Sequence, residues 1–210
     1  MDFTSQNIVI IDYGMGNVGS ISNMLKYLGA KATISSDHDV IRKADKLILP
    51  GVGHFDRAME NITKQELLQV IHEMALDKKK PFLGICLGMQ LMCNASEEGR
   101  SPGLRLVDAE VKRFSFPENQ KLKIPHMGWN YIHPAKETPI LNGLDTTSRF
   151  YFVHSFFVDC AHSSDVLTTT SYGNTFVSSF EHNNLIGVQF HPEKSHRFGI
   201  SLFRNFLQYY

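Results

Sequence analysis

Two kinds of pattern alternate over the first ninety residues. An apolar run over Ile8–Asp12 is closed by Gly14 and Gly16, as in a strand covered on both faces. Ile21, Met24, Leu25 and Leu28 then recur at helical spacing, and Gly29 supplies a stop. Lys31–Ile34 is short and β-prone, and Asp37 or Asp39 can cap a brief helix through Ala44. Lys46–Leu49 is a second apolar run, broken by Pro50-Gly51. Residues 65–77 place Leu67, Leu68, Ile71 and Met74–Ala75 on one stripe, which predicts a helix with Lys78–Lys80 as its solvated end. Phe82–Ile85 reads as a strand, followed at once by a helical pattern from Leu87 to Asn94.

After residue 104 strand-like runs dominate: Leu106–Phe114, Arg149–Asp159, Val166–Ser171, Phe176–Phe180 and Leu185–Phe190. A helix over about Phe198–Leu207 closes the pattern. Strands alternating with helices imply parallel pairing with helices on both faces. The fold expected is α/β: an open, mixed, largely parallel sheet flanked by helices, with an antiparallel extension. No linker, repeat or low-complexity tract interrupts residues 1–210, so one domain is expected.

Composition narrows the classes. The chain has 210 residues, 42% hydrophobic and 20% charged, which suits one sizeable core. Lys+Arg and Asp+Glu both number 21, so no basic stripe suggests a nucleic-acid binder. A net charge near zero is compatible with a permanent protein partner. The start lacks a basic segment followed by a long apolar run, so it reads as a first strand rather than a signal peptide. No apolar stretch approaches the roughly 20 residues that span a bilayer. Three cysteines, Cys86, Cys93 and Cys160, without framework spacing point to reduced thiols and a cytoplasmic setting. No HExxH and no paired CxxC is present, so no metal or other cofactor is expected.

Candidate chemistry begins at residues 81–91, PFLGICLGMQL. An apolar strand runs into Gly84-Ile85-Cys86-Leu87-Gly88 and a helix starts immediately, the setting of a nucleophile elbow. A strained turn there needs small residues two positions to either side, which Gly84 and Gly88 supply. The helix N-terminus favours a thiolate, and its N–H groups, Leu87 first, can hold an oxyanion. The competing reading is a buried structural cysteine. For Cys93 and Cys160 that core reading is preferred.

A nucleophilic thiol needs a base. Of ten histidines, His191 stands where an apolar run ends, and Pro192 closes that strand. Glu193 can turn back to fix one imidazole tautomer; an exposed HPE turn is the alternative. His154 can point into the core or at the site. His126, in IPHMGW, reads as loop, and His54, His133, His162, His182 and His196 as mostly exposed. Leu49-Pro50-Gly51-Val52-Gly53 follows another strand. Its glycines allow close backbone approach to a ligand, so Val52 or Gly53 can give a second oxyanion donor. A phosphate loop or a plain tight turn are the other readings.

The segments DYGMGN (12–17), LPGVGHF (49–55), GICLGMQL (84–91), PHMGWN (125–130), RFYFVHSF (149–156) and GVQFHPEKS (187–195) occur in that order. With them the chain resembles the class I glutamine amidotransferases, and most closely the glutaminase subunits of imidazole glycerol phosphate synthases. The resemblance implies glutamine hydrolysis to glutamate and ammonia through a thioester, with Cys86 as nucleophile, His191 as base and later acid, and Glu193 as orienter. It implies oxyanion amides at Val52, Gly53 and Leu87, and glutamine bound near Gly51, Gly53, Gln90, Ser155 and Phe156. Relatives often carry Tyr at Phe156. It further implies a heterodimer with a separate (βα)8 cyclase subunit, and an interface near Asn17, Met127, Trp129 and Lys194. A barrel of that kind needs roughly 200–250 residues of its own. The ammonia would serve imidazole glycerol phosphate synthesis in histidine biosynthesis. Three alternatives stand beside it: a paralogue serving sugar amidation in surface-glycan synthesis, a peptidase or γ-glutamyl hydrolase, and a non-catalytic interaction subunit.

Overall fold

In the computed structural model residues 3–117 and 121–210 are described. The parallel half runs β1 (Ile8–Ile11), α1 (Val18–Tyr27), β2 (Ala32–Ser35), α2 (His38–Arg42), β3 (Lys46–Gly51), α3 (Phe55–Lys64), α4 (Leu67–His72), β4 (Phe82–Cys86) and α5 (Leu87–Leu91). The second half adds β5 (Ala95–Ser96), β6 (Ala109–Arg113), β7 (His126–Tyr131), β8 (His133–Pro134), β9 (Arg149–His154), β10 (Phe156–Cys160), β11 (Val166–Tyr172), β12 (Asn174–His182), β13 (Leu185–Val188) and α6 (His196–Tyr209). The main sheet is ordered β2-β1-β3-β4-β13-β12-β10-β6-β5, with β11 paired to β12 and β8 to β11. β1 through β4 and β13 pair in parallel, whereas β12, β10 and β11 add antiparallel. β7 and β9 form a separate antiparallel ribbon.

Continuous apolar runs become central strands because both faces need cover. Val9 and Ile11 enter one core cluster, Ile8 and Ile10 the other. Each such buried side chain contributes about 1.5–3 kcal/mol. Gly29 takes φ +81° just beyond α1, and Asp37 caps α2 by accepting from the Asp39 and Val40 amides. The order β2-β1-β3-β4 reverses beside β1, and such sheets offer a crevice at the carboxyl ends of their strands. Cys86 ends β4, Gly51 ends β3 and His191 follows β13 there.

Several boundaries differ from the sequence reading. Helix α3 was not anticipated, although Phe55, Ala58, Met59 and Ile62 form its buried stripe. The 65–77 helix starts at Leu67 and widens into a π-turn over Glu73–Asp77; Val70, not Leu68, joins the buried stripe. The helix after Cys86 ends at Leu91 rather than Asn94. Pro50 does not break β3, which runs on to Gly51: beyond Ile48 that strand has lost β1 as a neighbour, so a missing amide is tolerated there. The run 149–159 divides at Ser155, sending β9 to the ribbon and β10 to the main sheet. PHMGWN is strand β7, not loop. Cys93 is fully buried and Cys160 half-buried. Among the described residues, no helix is long and apolar enough to cross a membrane.

Candidate active site

Cys86 sits at the β4–α5 junction with φ +54° and ψ −110°. A non-glycine residue there carries strain on the order of 1–3 kcal/mol, which its surroundings must impose. Crowding imposes it. A Cβ on Gly88 would lie 1.8 Å from the Leu49 carbonyl oxygen. One on Gly84 would meet Met92 Sδ at 2.5 Å and the Gly88 oxygen at 2.8 Å. Gly51, opposite Cys86 in the ladder, has the Gly88 nitrogen, Leu87 Cβ and the Tyr13 hydroxyl each 2.7 Å from the same position. Strand β3, strand β4 and helix α5 approach at backbone distance, and only glycine fits the three contact points. The Tyr13 hydroxyl also donates to the Pro50 carbonyl at 2.7 Å, tying β1's end to this strand.

His191 follows β13 and is 1% exposed. Its Nδ1 lies 2.8 Å from Glu193 Oε1, and both side chains are 1% exposed. A carboxylate oxygen accepts, so Nδ1 carries a proton and Nε2 is left for the thiol. Nε2 is buried, and among the described residues the group it interacts with is the Cys86 thiol. Burial pushes the imidazole's pKa down, but Cys86 and Glu193 outweigh it and raise the pKa to about 10. The backbone is pinned as well. The His191 amide donates to the Tyr151 carbonyl at 2.9 Å. Ser195 Oγ donates to the His191 carbonyl at 2.6 Å and accepts from the Tyr151 amide at 3.0 Å.

A cleft of about 300 Å³ opens beside these groups. That is the lower end of the roughly 300–1,000 Å³ of small-molecule sites, room enough for a free amino acid. Val52, Gly53, Cys86, Leu87, Gln90, His154, Ser155, Phe156 and His191 are among the residues that line it, so His154 points at the site. Gln90 is 4% exposed, so it is no surface residue. Its Nε2 donates to the Phe156 carbonyl at 3.1 Å and to Gln189 Oε1 at 3.0 Å. Gly53 takes φ +107°, with Met15 Cε at 2.7 Å from any added Cβ. Of the residues expected at the site, Gly51 does not line the cleft and serves the junction behind it, and Glu193 stands behind His191.

Gln189, Glu98 and Ser195 join the site without a clear mark in the sequence. The Gln189 amide donates to Cys86 Sγ at 3.7 Å; its signal was a lone amide inside an apolar run. Glu98 brings a carboxylate to the cleft, one oxygen held by the Phe55 amide at 2.9 Å. Nothing local in the sequence marks it. Met127 and Trp129 are 62% and 43% exposed, so plain core packing is excluded for both. Trp129 stacks on His196 with centroids 5.6 Å apart, and Lys194 Nζ lies 5.8 Å from the Tyr151 ring centre. Asn17 stands at the start of α1, which packs on the Pro192–Lys194 turn. Among the described residues no group of three or more His, Cys, Asp or Glu is placed to hold a metal ion.

Residues 9–209 match the family described as glutamine amidotransferase class-I, and the chain belongs to that family. Within it, the imidazole glycerol phosphate synthase subunit HisH 2 of Methanococcus maripaludis is 49% identical over 201 residues, covering 96% of this chain and 98% of the relative. The protein of the same description from Pseudomonas aeruginosa is 47% identical over 201 residues, with the same coverage. A solved structure, PurLQS from Thermotoga maritima, superposes with a TM-score of 0.72 at 17% identity, covering 97% of this chain and 98% of that one. At that identity the likeness speaks for the fold alone.

Proposed function

We propose that this chain is the glutaminase subunit of an imidazole glycerol phosphate synthase, hydrolysing glutamine and passing ammonia to a separate (βα)8 cyclase in a cytoplasmic heterodimer. The observation that carries the chemistry is a buried Glu193–His191 pair, 2.8 Å between Oε1 and Nδ1, facing a thiol on a glycine-locked turn. Residues 1–210 are read as one glutamine amidotransferase domain. Free thiols at all three cysteines suit a reducing compartment.

In the proposed reaction His191 Nε2 accepts the Cys86 proton, and sulfur attacks the carboxamide carbon of glutamine. The oxyanion is held by backbone amides of Leu87 and of Val52 or Gly53. Gln90, Ser155, Phe156 and the Gly53 turn hold the substrate, and the Glu98 carboxylate receives its α-ammonium group. The C–N bond breaks as protonated His191 gives its proton to the leaving nitrogen. Water then loses a proton to His191 and attacks the thioester; the C–S bond breaks, His191 returns the proton to the Cys86 sulfur, and glutamate leaves. Glu193 keeps the Nδ1 proton in place throughout. Asn17, Met127, Trp129 and Lys194 are assigned to the partner interface.

Ammonia release from glutamine, measured for the chain alone and with the cyclase and its nucleotide substrate, tests the reading. The complex is expected to turn over on the order of 10²-fold faster, the worth of one oxyanion donor. Equal rates would remove the partner dependence; no hydrolysis in either case would remove the glutaminase. Both relatives named above carry the number 2, which keeps a second copy serving sugar amidation as the alternative. Such a copy would hydrolyse glutamine without responding to this cyclase.

A further inference from the structure

Strand β7 has inverted polarity. Met127, Trp129 and Tyr131 face outward, while His126 and Asn130 face inward. The inward pair opens a line of hydrogen bonds. Asn130 Nδ2 lies 3.1 Å from His126 Nε2, His126 Nδ1 lies 2.9 Å from His154 Nε2, and His154 Nδ1 lies 2.7 Å from the Phe156 carbonyl oxygen. That same oxygen accepts from Gln90, whose amide meets Gln189, whose amide meets Cys86 Sγ.

The direction of every bond follows from its end. A carbonyl oxygen only accepts, so His154 Nδ1 holds a proton. A neutral His154 then has a bare Nε2, which requires a proton on His126 Nδ1. Neutral His126 in turn has a bare Nε2, which accepts from the Asn130 amide. Asn130 itself is oriented by two further bonds, Nδ2 to the Ser171 carbonyl at 3.0 Å and Oδ1 from the Tyr131 amide at 2.8 Å. A second proton on either ring would set N–H against N–H. Burial holds both rings neutral: the His126 pKa falls to about 4 and the His154 pKa to about 3, where the Phe156 bond opposes burial without offsetting it. Phe114, Phe152 and Phe176 pack around both rings.

We propose that His126 and His154 are positioning residues: a one-way chain of neutral imidazoles that fixes the Phe156 carbonyl, and through it the Gln90 amide that faces the substrate. The chain ties the outward-facing strand β7 to the substrate end of the cleft. It rests on the glutaminase reading only where substrate kinetics report it.

Three measurements test it. Imidazole ¹H–¹⁵N spectra of the whole chain near neutral pH should show both rings as neutral Nδ1–H tautomers with slowly exchanging protons. An Nε2–H tautomer or a protonated ring at either site overturns the proposal, whatever the enzyme's substrate. Kinetics in the complex with the cyclase form the second arm. His126→Phe and His154→Phe should raise the KM for glutamine about tenfold, the worth of one or two lost hydrogen bonds. Alkylation of Cys86 by iodoacetamide in His126→Phe, followed by mass of its peptide, should stay within about twofold, because His126 does not line the cleft; a larger fall would move the effect onto the thiol and overturn the proposal. His154→Asn, which keeps a donor near the Nδ1 position, should recover most of the KM. Unchanged KM in both Phe variants overturns the proposal, and so does His154→Asn behaving like His154→Phe. Wild-type protein that shows the tautomers but no glutamine hydrolysis would leave the chain standing and remove the functional reading instead.

Discussion

The two sides of the catalytic cleft are held by different physics. On the thiol side, β3, β4 and α5 meet so closely that Gly51, Gly84 and Gly88 leave no room for a Cβ. Position there is set by backbone exclusion, and Cys86 is held at positive φ. On the base side, His191, Glu193, Ser195 and Gln189 are set by side-chain hydrogen bonds between 2.6 and 3.0 Å, apart from the longer contact of Gln189 with sulfur. Exclusion fails all at once, because a clash has nowhere to go in a core packed near crystal density. Hydrogen bonds fail one at a time, each worth about 0.5–1.5 kcal/mol. The Cys86 turn is therefore held by exclusion, while its surroundings are adjustable.

That contrast is best broken at Gly88. Gly88→Ala puts a methyl group 1.8 Å from the Leu49 oxygen, and a loss on the order of 4 kcal/mol or more is expected, read as failure to fold or a collapsed urea midpoint. A variant melting like the wild type would show that the junction can yield. Next in size is Glu193→Gln. Losing the carboxylate should cost about 10²–10⁴-fold in glutamine hydrolysis with the fold intact. It should also change the pH dependence of stability. The folded pKa of His191 is raised from 6.5 to about 10, so its contribution is complete below pH 6.5 and fades as pH rises towards 10. In the variant the folded pKa falls, and urea midpoints should decline less across that window; an identical decline would detach Glu193 from the imidazole. Smallest is Ser195→Ala, which releases the His191 carbonyl and the Tyr151 amide. A cost of about 1–2 kcal/mol and a modest loss of rate are expected; loss of the fold would place the base side under exclusion too.

Much of the thiol side was legible because exclusion leaves glycines behind. Gly84 and Gly88 flank Cys86 at fixed offsets, and continuous apolar runs marked β1, β3 and β4. The stripe of Phe55, Ala58, Met59 and Ile62 was also in the sequence, at helical spacing, yet went unassigned. The base side was less legible because its determinants lie far apart in the chain. Gln189 reaches Cys86 across 103 positions, and nothing near Glu98 announces its place in the cleft. Strand β7 was mistaken for loop for a physical reason: its apolar residues face outward and its polar ones inward, the reverse of the usual alternation. His191 and Glu193 were readable because the strand end, the proline and the carboxylate fall within three residues.

The claim that all this geometry serves Cys86 as a nucleophile on glutamine is tested most directly by Cys86→Ala in the complex with the cyclase. No glutamine hydrolysis and no glutamine-dependent cyclisation are expected, while added ammonia still supports cyclisation at the wild-type rate. Glutamine hydrolysis that survives the substitution would contradict it.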